Sequence, residues 1–290
     1  MKIGIVCPYN IFRSGGVQEH VLAQASELRK RGHVVKIITP KPRKFEGPLP
    51  GDTIFVGNSA NVKTPIQTSA EVGISLTRDS IDEMLEGEAF DILHIHEPEV
   101  PVTGMQILAK AKCPVIGTFH AIYPDTPLAR TMETFRVPFS RTVLGKLKIM
   151  TAVSDAAASF IRKQTDEDVV IVPNGIDLVK YRPRAADSSA DVRTILYIGR
   201  LEKRKGVMYL IKAFAEAYRN ASDVQLVIAG QGPERRKLEE LAENLKLFNI
   251  TFLGFIDDEE KIRRLQSADL FCSPALYGES FGIVLLEAMA

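Results

Sequence analysis

The chain has 290 residues, 45% of them hydrophobic and 25% charged, and a formal net charge of +1. That length suits about two domains, and the near-neutral balance excludes global electrostatic binding to nucleic acid, so an anionic ligand has to be held by local groups. No apolar run nears the ~20 residues of a membrane-spanning helix, and the first run, residues 3–7, is too short for a signal peptide, which leads us to expect a cytoplasmic protein.

Short apolar runs then alternate with amphipathic stretches. Residues 3–7 read as a buried strand. Residues 17–31 read as a helix with Val17, Val21, Ala25 and Leu28 on one stripe and Gly32 at its stop. Residues 34–39 are a strand, 40–68 a loop-rich stretch, 74–85 a helix, 90–96 a strand, 105–111 a helix and 114–119 a strand. Residues 128–147 look mostly helical, interrupted by Pro138. Two short strands, 149–153 and 169–172, flank a helix at 155–163.

A second series follows, with strands at 194–198, 224–229, 250–253 and 270–273. Helices are expected at 207–218, 234–245, 259–266 and from 281 onward. Strands too apolar to alternate, separated by helices, predict parallel sheets covered on both faces. The fold class is therefore α/β, with two doubly wound domains: 1–182, a polar linker at 183–191, and 192–290. The second series stops inside a helix without a stop signal, so the second domain is expected to be incomplete, or truncated. Cys7, Cys113 and Cys272 are far apart, lack metal-ligand spacing and read as buried, reduced thiols.

Four places carry candidate chemistry. Ser14-Gly15-Gly16 joins the first strand to the first helix, where free amides form an anion site. A glycine turn also connects any strand to any helix. Arg200 and Lys205 follow the first strand of the second series, at the carboxyl edge of a parallel sheet, and two cations there suit a diphosphate. The plainer alternative is a solvated basic loop. Glu279 and Glu287 bracket a very apolar helix start and are spaced to share one face. A buried carboxylate is costly unless it meets donors such as sugar hydroxyls, and the amides of Phe281 and Gly282 remain for phosphate. An acidic cap plus one exposed Glu would look the same. Last, His94-Ile95-His96-Glu97-Pro98 and Thr118-Phe119-His120 place histidines at two strand ends of the first sheet. Asp166-Glu167-Asp168 reads as solvated surface, not a metal pair.

In chain order, Gly15-Gly16, Gly199-Arg200…Lys205-Gly206, Gly230-Gln231-Gly232-Pro233 and Glu279…Glu287 resemble the retaining glycosyltransferases of family 4. The run Ser267-Ala268-Asp269-Leu270-Phe271-Cys272-Ser273-Pro274 is also similar. Cys7-Pro8-Tyr9, Gly15-Gly16-Val17-Gln18, the His94–Pro98 strand end and Thr118-Phe119-His120 resemble the phosphatidylinositol mannosyltransferases of that family. The resemblance implies a GT-B fold, two Rossmann-like domains facing a cleft, and a retaining transfer of a hexose. Mannose from GDP-mannose comes first, going to a lipid or lipid-linked acceptor at the inner membrane face, with no cofactor and no metal.

It also implies roles. The Gly16 amide, Arg200 and Lys205 hold the diphosphate and its developing charge. Glu279 contacts the donor hexose, Glu287 the ribose hydroxyls, and His120 lies near the transferred sugar, while Tyr9 and Gln18 line the acceptor side. Catalysis then falls to His120, Arg200, Lys205 and Glu279, through orientation and leaving-group stabilisation. Alternatives are a UDP-sugar-dependent glucosyl- or N-acetylglucosaminyltransferase with a soluble acceptor, or a sugar-nucleotide-binding protein without turnover. A dinucleotide dehydrogenase is disfavoured because neither first strand–helix turn reads Gly-x-Gly-x-x-Gly.

Two departures from the family stand out. The acidic residue expected shortly before the Gly-Gly turn is replaced by Ile11-Phe12-Arg13-Ser14. The segment matching a basic membrane-facing helix is net acidic, Thr77-Arg78-Asp79-Ser80-Ile81-Asp82-Glu83-Met84. A basic residue near an anionic surface contributes about 1 kcal/mol, so losing three or four removes most of an electrostatic anchor. Co-sedimentation with phosphatidylinositol vesicles should accordingly be weak and little changed between low and high salt. Tight, salt-sensitive binding that survives neutralising Arg130, Arg136, Arg141, Lys146 and Lys148 would contradict that expectation.

Overall fold

The computed structural model describes residues 1–13, 15–42, 51–63, 69–74, 79–100, 103–122, 144–183 and 192–290. The chain divides into two compact units, Met1–Asn174 and Gly175–Ala290. The first contains β1 (Lys2–Val6), α1 (Gly16–Lys30), β2 (Val34–Lys41), β3 (Thr53–Lys63), β4 (Ser69–Ile74), α2 (Asp79–Glu88) and β5 (Ile92–His96). It continues with α3 (Thr103–Lys110), β6 (Val115–Phe119), β7 (Ile149–Ala152), α4 (Asp155–Ile161) and β8 (Val169–Ile171). Its sheet runs β4-β3-β2-β1-β5-β6-β7-β8. All neighbours are parallel except β3 and β4, whose antiparallel register runs from Asn58↔Ile74 to Lys63↔Ser69.

β1 is buried over almost its whole length because both faces of the sheet are covered. Ile3, Ile5 and Cys7 pack with Val35 and Ile37 against Val21 and Ala25, the stripe expected for α1. Cys7 is fully buried, and burial pushes its thiol up to about 12. Cys113 and Cys272 are only half-buried, which corrects the expectation for those two thiols. α4 begins where the Ser154 side chain accepts from the amide of Ala157 at 3.0 Å. α1 is preceded by Gly15 at its N-cap, which has no side chain to do the same.

The second unit contains β9 (Arg193–Ile198), a 3-10 turn (Lys203–Lys205), α5 (Val207–Tyr218), β10 (Val224–Ala229) and α6 (Arg235–Asn244). β11 (Ile250–Gly254), α7 (Asp258–Ser267), β12 (Leu270–Phe271) and α8 (Ile283–Met289) follow. The sheet is parallel in the order β11-β10-β9-β12. Tyr197, Leu201, Ile211, Phe214, Leu226, Ile228 and Leu238 form its core.

The loop-rich expectation for residues 40–68 is corrected by β3, and the helix expected from residue 74 starts later, because Ile74 closes β4. Gly57-Asn58-Ser59 and Asn61 suggest a turn by composition, yet cross-strand pairing overrides local preference. The expected helix of 128–147 falls almost wholly outside the described residues, as do Arg130, Arg136, Pro138, Arg141, Thr77, Arg78, Ser14 and the linker positions 184–191. Two acids of the α2 segment are engaged nearby: Asp82 pairs with Lys110, and Glu86 with Lys112 at 2.9 Å. Residues 166–168 are exposed, as expected of surface.

Gly230 shows how tightly the second sheet's carboxyl edge is built. Its φ is 143, and a Cβ there would lie 1.9 Å from the Gly199 carbonyl oxygen. Gly230→Ala should lower the unfolding midpoint through a strain of roughly 1–3 kcal/mol. Gly87→Ala, in α2 with nothing within 4 Å of the new methyl, should instead raise stability by about 0.5–1 kcal/mol. Urea titrations of both variants check the opposite signs.

Candidate functional site

Each sheet reverses its strand order once, between β1 and β5 in the first unit and between β9 and β12 in the second. Loops leaving the carboxyl ends on either side of such a point diverge and leave a crevice. The predicted residues of each unit lie at that edge of their own sheet.

In the first unit, Gly16 is the first residue of α1. The early amides of this 15-residue helix have no intrahelical acceptors. Gln18, one turn in, reaches the Asn10 carbonyl at 3.4 Å. Tyr9 packs against the α1 core, and its carbonyl accepts from Thr39 Oγ1 at 2.8 Å. The Asn10 side chain accepts from the amide of Phe12 at 3.0 Å and fixes the turn before the glycines.

His120, the fourth of the predicted first-unit residues, lies within a cluster of four histidines. His94 and His96 stack with ring centroids 4.6 Å apart, and His20 meets His96 and His120 edge-on at 5.1 and 5.2 Å. His96 Nδ1 is 2.8 Å from His120 Nε2. Burial is the largest cause lowering every one of these imidazoles. His94 falls to about 4 and His120 to about 3, with neighbouring histidines adding to the effect, while His20 is lowered by burial against the opposing pull of its bond to Asn174. His96, fully buried, is pushed well below its ordinary value. All four are neutral near pH 7.

Glu97 closes this corner. Its φ is 50, left-handed for a residue with a side chain. One carboxylate oxygen accepts from the amides of His120 and Ala121 at 2.6 and 2.7 Å. Burial raises this carboxyl to about 7 against the pull of those two amides.

In the second unit, Arg200 and Lys205 stand on the loop after β9. Lys205 Nζ pairs with Glu279, which lies on the loop after β12. Arg200 is held at 3.1 Å by the buried carboxylate of Glu202, which also accepts from Arg204 at 3.0 Å. Arg204 donates onward to the Gly278 carbonyl at 3.0 Å and so ties the two loops together. Gly206 permits that approach: its φ is 68, and a Cβ would fall 2.1 Å from the Pro274 carbonyl oxygen.

α8 starts only at Ile283, with Gly282 in the left-handed region as its N-cap. Glu279 is therefore off the helix, which corrects the expectation of one shared helical face with Glu287. Phe281 is half-buried and Gly282 buried in the connecting turn. Glu287 is buried and bonded to Lys261 Nζ at 2.8 Å, and Lys261 sits 5.3 Å from the Tyr181 ring centre. Glu287 thus has a cation to neutralise it. The groups missed by sequence reasoning are His20, Gln24, Glu202, Arg204 and Lys261. Only His20 and Gln24 left a signal, as polar residues one turn apart on α1. Among the described residues no group of three or more His, Cys, Asp or Glu side chains is arranged to hold a metal ion, and no helix is long and apolar enough to cross a membrane.

The family model for glycosyltransferase family 4 matches residues 14–180, and that for glycosyl transferases group 1 matches 183–290. The chain is 36% identical to the phosphatidyl-myo-inositol mannosyltransferase of Mycolicibacterium smegmatis, over 100% of this chain and 74% of the relative. It superposes on a sucrose-phosphate synthase from Thermosynechococcus elongatus with a TM-score of 0.75 at 21% identity, covering 99% and 78% of the two chains. Anabaena HepE in complex with UDP and glucose gives 0.73 at 18%, covering 100% and 78%. Likeness at these identities shows the fold, which is GT-B.

The histidine cluster makes the stability of the first unit depend on pH. Because the folded imidazoles titrate below 6.5, their contribution is complete above 6.5 and is lost as pH falls toward about 4 for His94 and about 3 for His120. Glu97, raised to about 7, acts oppositely: its contribution is complete below 4.5 and is lost as pH rises through about 7. The four histidines outnumber it, and each proton taken up only by the unfolded chain tilts the balance by about 1.4 kcal/mol per pH unit. The thermal midpoint should fall between pH 6.5 and pH 5, and His94→Gln should flatten that fall. A midpoint that holds or rises on acidification contradicts the neutral cluster.

Proposed function

The chain belongs to glycosyltransferase family 4, and from that premise we propose that it transfers mannose, with retention, from GDP-mannose to a lipid or lipid-linked acceptor. The observation that carries this reading is the identity, continuous over the whole chain, to a protein named phosphatidyl-myo-inositol mannosyltransferase. The side chains are consistent with it. Lys205 and Glu279 supply, in contact, a cation for phosphate and a carboxylate for a hydroxyl. Arg200, steadied by Glu202, adds a planar donor fork suited to a diphosphate.

The proposed roles are as follows. Arg200, Lys205 and the Gly16 amide neutralise the departing diphosphate, which lowers the barrier where charge develops. Phe281 and Gly282 offer amides to the same group. Glu279 orients the hexose, and Glu287 receives the ribose hydroxyls beside Lys261. His120 contacts the transferred sugar, and Tyr9 and Gln18 line the acceptor side. The acceptor hydroxyl attacks beside the leaving diphosphate, so no protein nucleophile is required. The domains of this enzyme are taken as 1–182 and 192–290 joined by 183–191, and contact with the inner membrane face is peripheral.

The test is transfer of labelled mannose from GDP-mannose to phosphatidylinositol. Arg200→Ala and Lys205→Ala should each cut turnover about ten- to a hundredfold, the equivalent of 1.5–3 kcal/mol for one charged contact, with circular dichroism unchanged. Near-normal turnover in both variants sinks the site assignment. Turnover with UDP-glucose in place of GDP-mannose sinks the donor.

A further inference from the structure

The amide of Gln24, on α1, lies between two histidines of β5. Its Nε2 is 2.8 Å from His94 Nδ1 and its Oε1 is 3.0 Å from His96 Nε2. The chain of contacts continues both ways. His94 Nε2 meets Thr118 Oγ1 at 2.6 Å, Thr118 meets Thr151 Oγ1 at 2.6 Å, and Thr151 Oγ1 meets the Gly117 carbonyl at 3.2 Å. On the other side His96 Nδ1 meets His120 Nε2 at 2.8 Å.

Such a chain has only two polarities, because each hydroxyl or neutral imidazole has a single proton to give. One end is fixed, since the Gly117 carbonyl can only accept. Thr151 therefore donates to it and accepts from Thr118, which in turn accepts from His94 Nε2–H. His94 Nδ1 is then bare and accepts from the Gln24 amide. The Gln24 carbonyl accepts from His96 Nε2–H, and His96 Nδ1 accepts from His120 Nε2–H. The reversed polarity forfeits the bond to Gly117. Neutrality of all three rings, which burial enforces, keeps the chain unbranched.

We propose that Gln24 is a positioning residue that carries this polarity across from β5 and β6 to His120, holding His94, His96 and His120 as Nε2–H tautomers and leaving His120 Nδ1 a lone-pair acceptor. No described residue bonds that nitrogen. Its use in transfer rests on the reading of His120 as a sugar contact: a bare Nδ1 accepts from a hexose hydroxyl, whereas the reversed chain presents an N–H there. The tautomer assignment does not rest on that reading. His20 is set separately by donating Nδ1–H to Asn174 Oδ1, so it has the opposite tautomer.

Five histidines make the assignment tractable, the fifth being His33 in the turn after α1. Ring-¹⁵N-labelled full chain, studied by long-range proton–nitrogen correlation above pH 7, should show Nε2–H at His94, His96 and His120 and Nδ1–H at His20. Any of the first three as Nδ1–H overturns the proposal, whatever the variants do. In Gln24→Glu the side chain can no longer donate, so His94 Nδ1 should gain a proton, as the other tautomer or as imidazolium, while His20 keeps its own. A His94 Nδ1 still bare in that variant overturns the role of Gln24. Gln24→Leu cuts the chain, and loss of the single fixed tautomer at His96 is expected; an unchanged His96 overturns it. If the tautomers stand as assigned but Gln24→Leu binds GDP-mannose as well, relative to GDP, as the parent does, the sugar contact at His120 fails and the relay does not.

Discussion

A parallel sheet delivers all its strands' carboxyl ends to one edge, and where the strand order reverses, the loops on that edge part. Both candidate sites follow from this constraint. In the first unit it sets the glycine turn after β1 beside the histidines that end β5 and the one that follows β6. In the second it sets the loop after β9 beside the loop after β12, with Arg204 joined to Gly278 across the gap. Residues 74 positions apart, such as Lys205 and Glu279, meet only because two strand ends are neighbours.

The two units meet the cost of buried polar groups in different ways. The first discharges its groups: the histidines stay neutral and Glu97 is raised toward neutrality, each ring held by hydrogen bonds to neutral partners. The second keeps its charges and pairs them, Glu202 with two arginines and Glu287 with Lys261. Neutral rings that exchange hydrogen bonds define directions, so a tautomer matters there. Ion pairs define no such polarity, but removing one partner leaves the other bare at a cost of about 3–5 kcal/mol when buried.

Much of this was legible in the sequence. Continuous apolar runs marked the parallel strands, and α5 and β10 have the bounds their patterns predict. The β3–β4 pair was not legible, because Asn, Ser and Gly in its middle are turn formers until a partner strand supplies the missing hydrogen bonds. The acid pair was misread on one point: Gly282 adopts the left-handed region and starts the helix late, so spacing along the chain did not become spacing along a helix. The histidines at the two strand ends were visible, whereas Gln24 showed only as a polar residue one turn from His20. Its importance lies in which of its two amide atoms faces which ring, and that is a property of packing.

On the proposed reading of Lys205 and Glu279 as donor contacts, their pairing also bears on how a donor enters. Each group is the other's partner, with side chains 17% and 31% exposed. A sugar nucleotide brings an anionic phosphate for the lysine and hydroxyl donors for the carboxylate, so it can satisfy both groups without baring either. A nucleoside diphosphate without the sugar satisfies only the lysine and leaves the glutamate to seek water or Lys205 again. In those proposed roles the pair would favour the intact donor over its product in proportion to how well the carboxylate is resatisfied, a preference of the right sign for releasing the spent nucleotide after transfer.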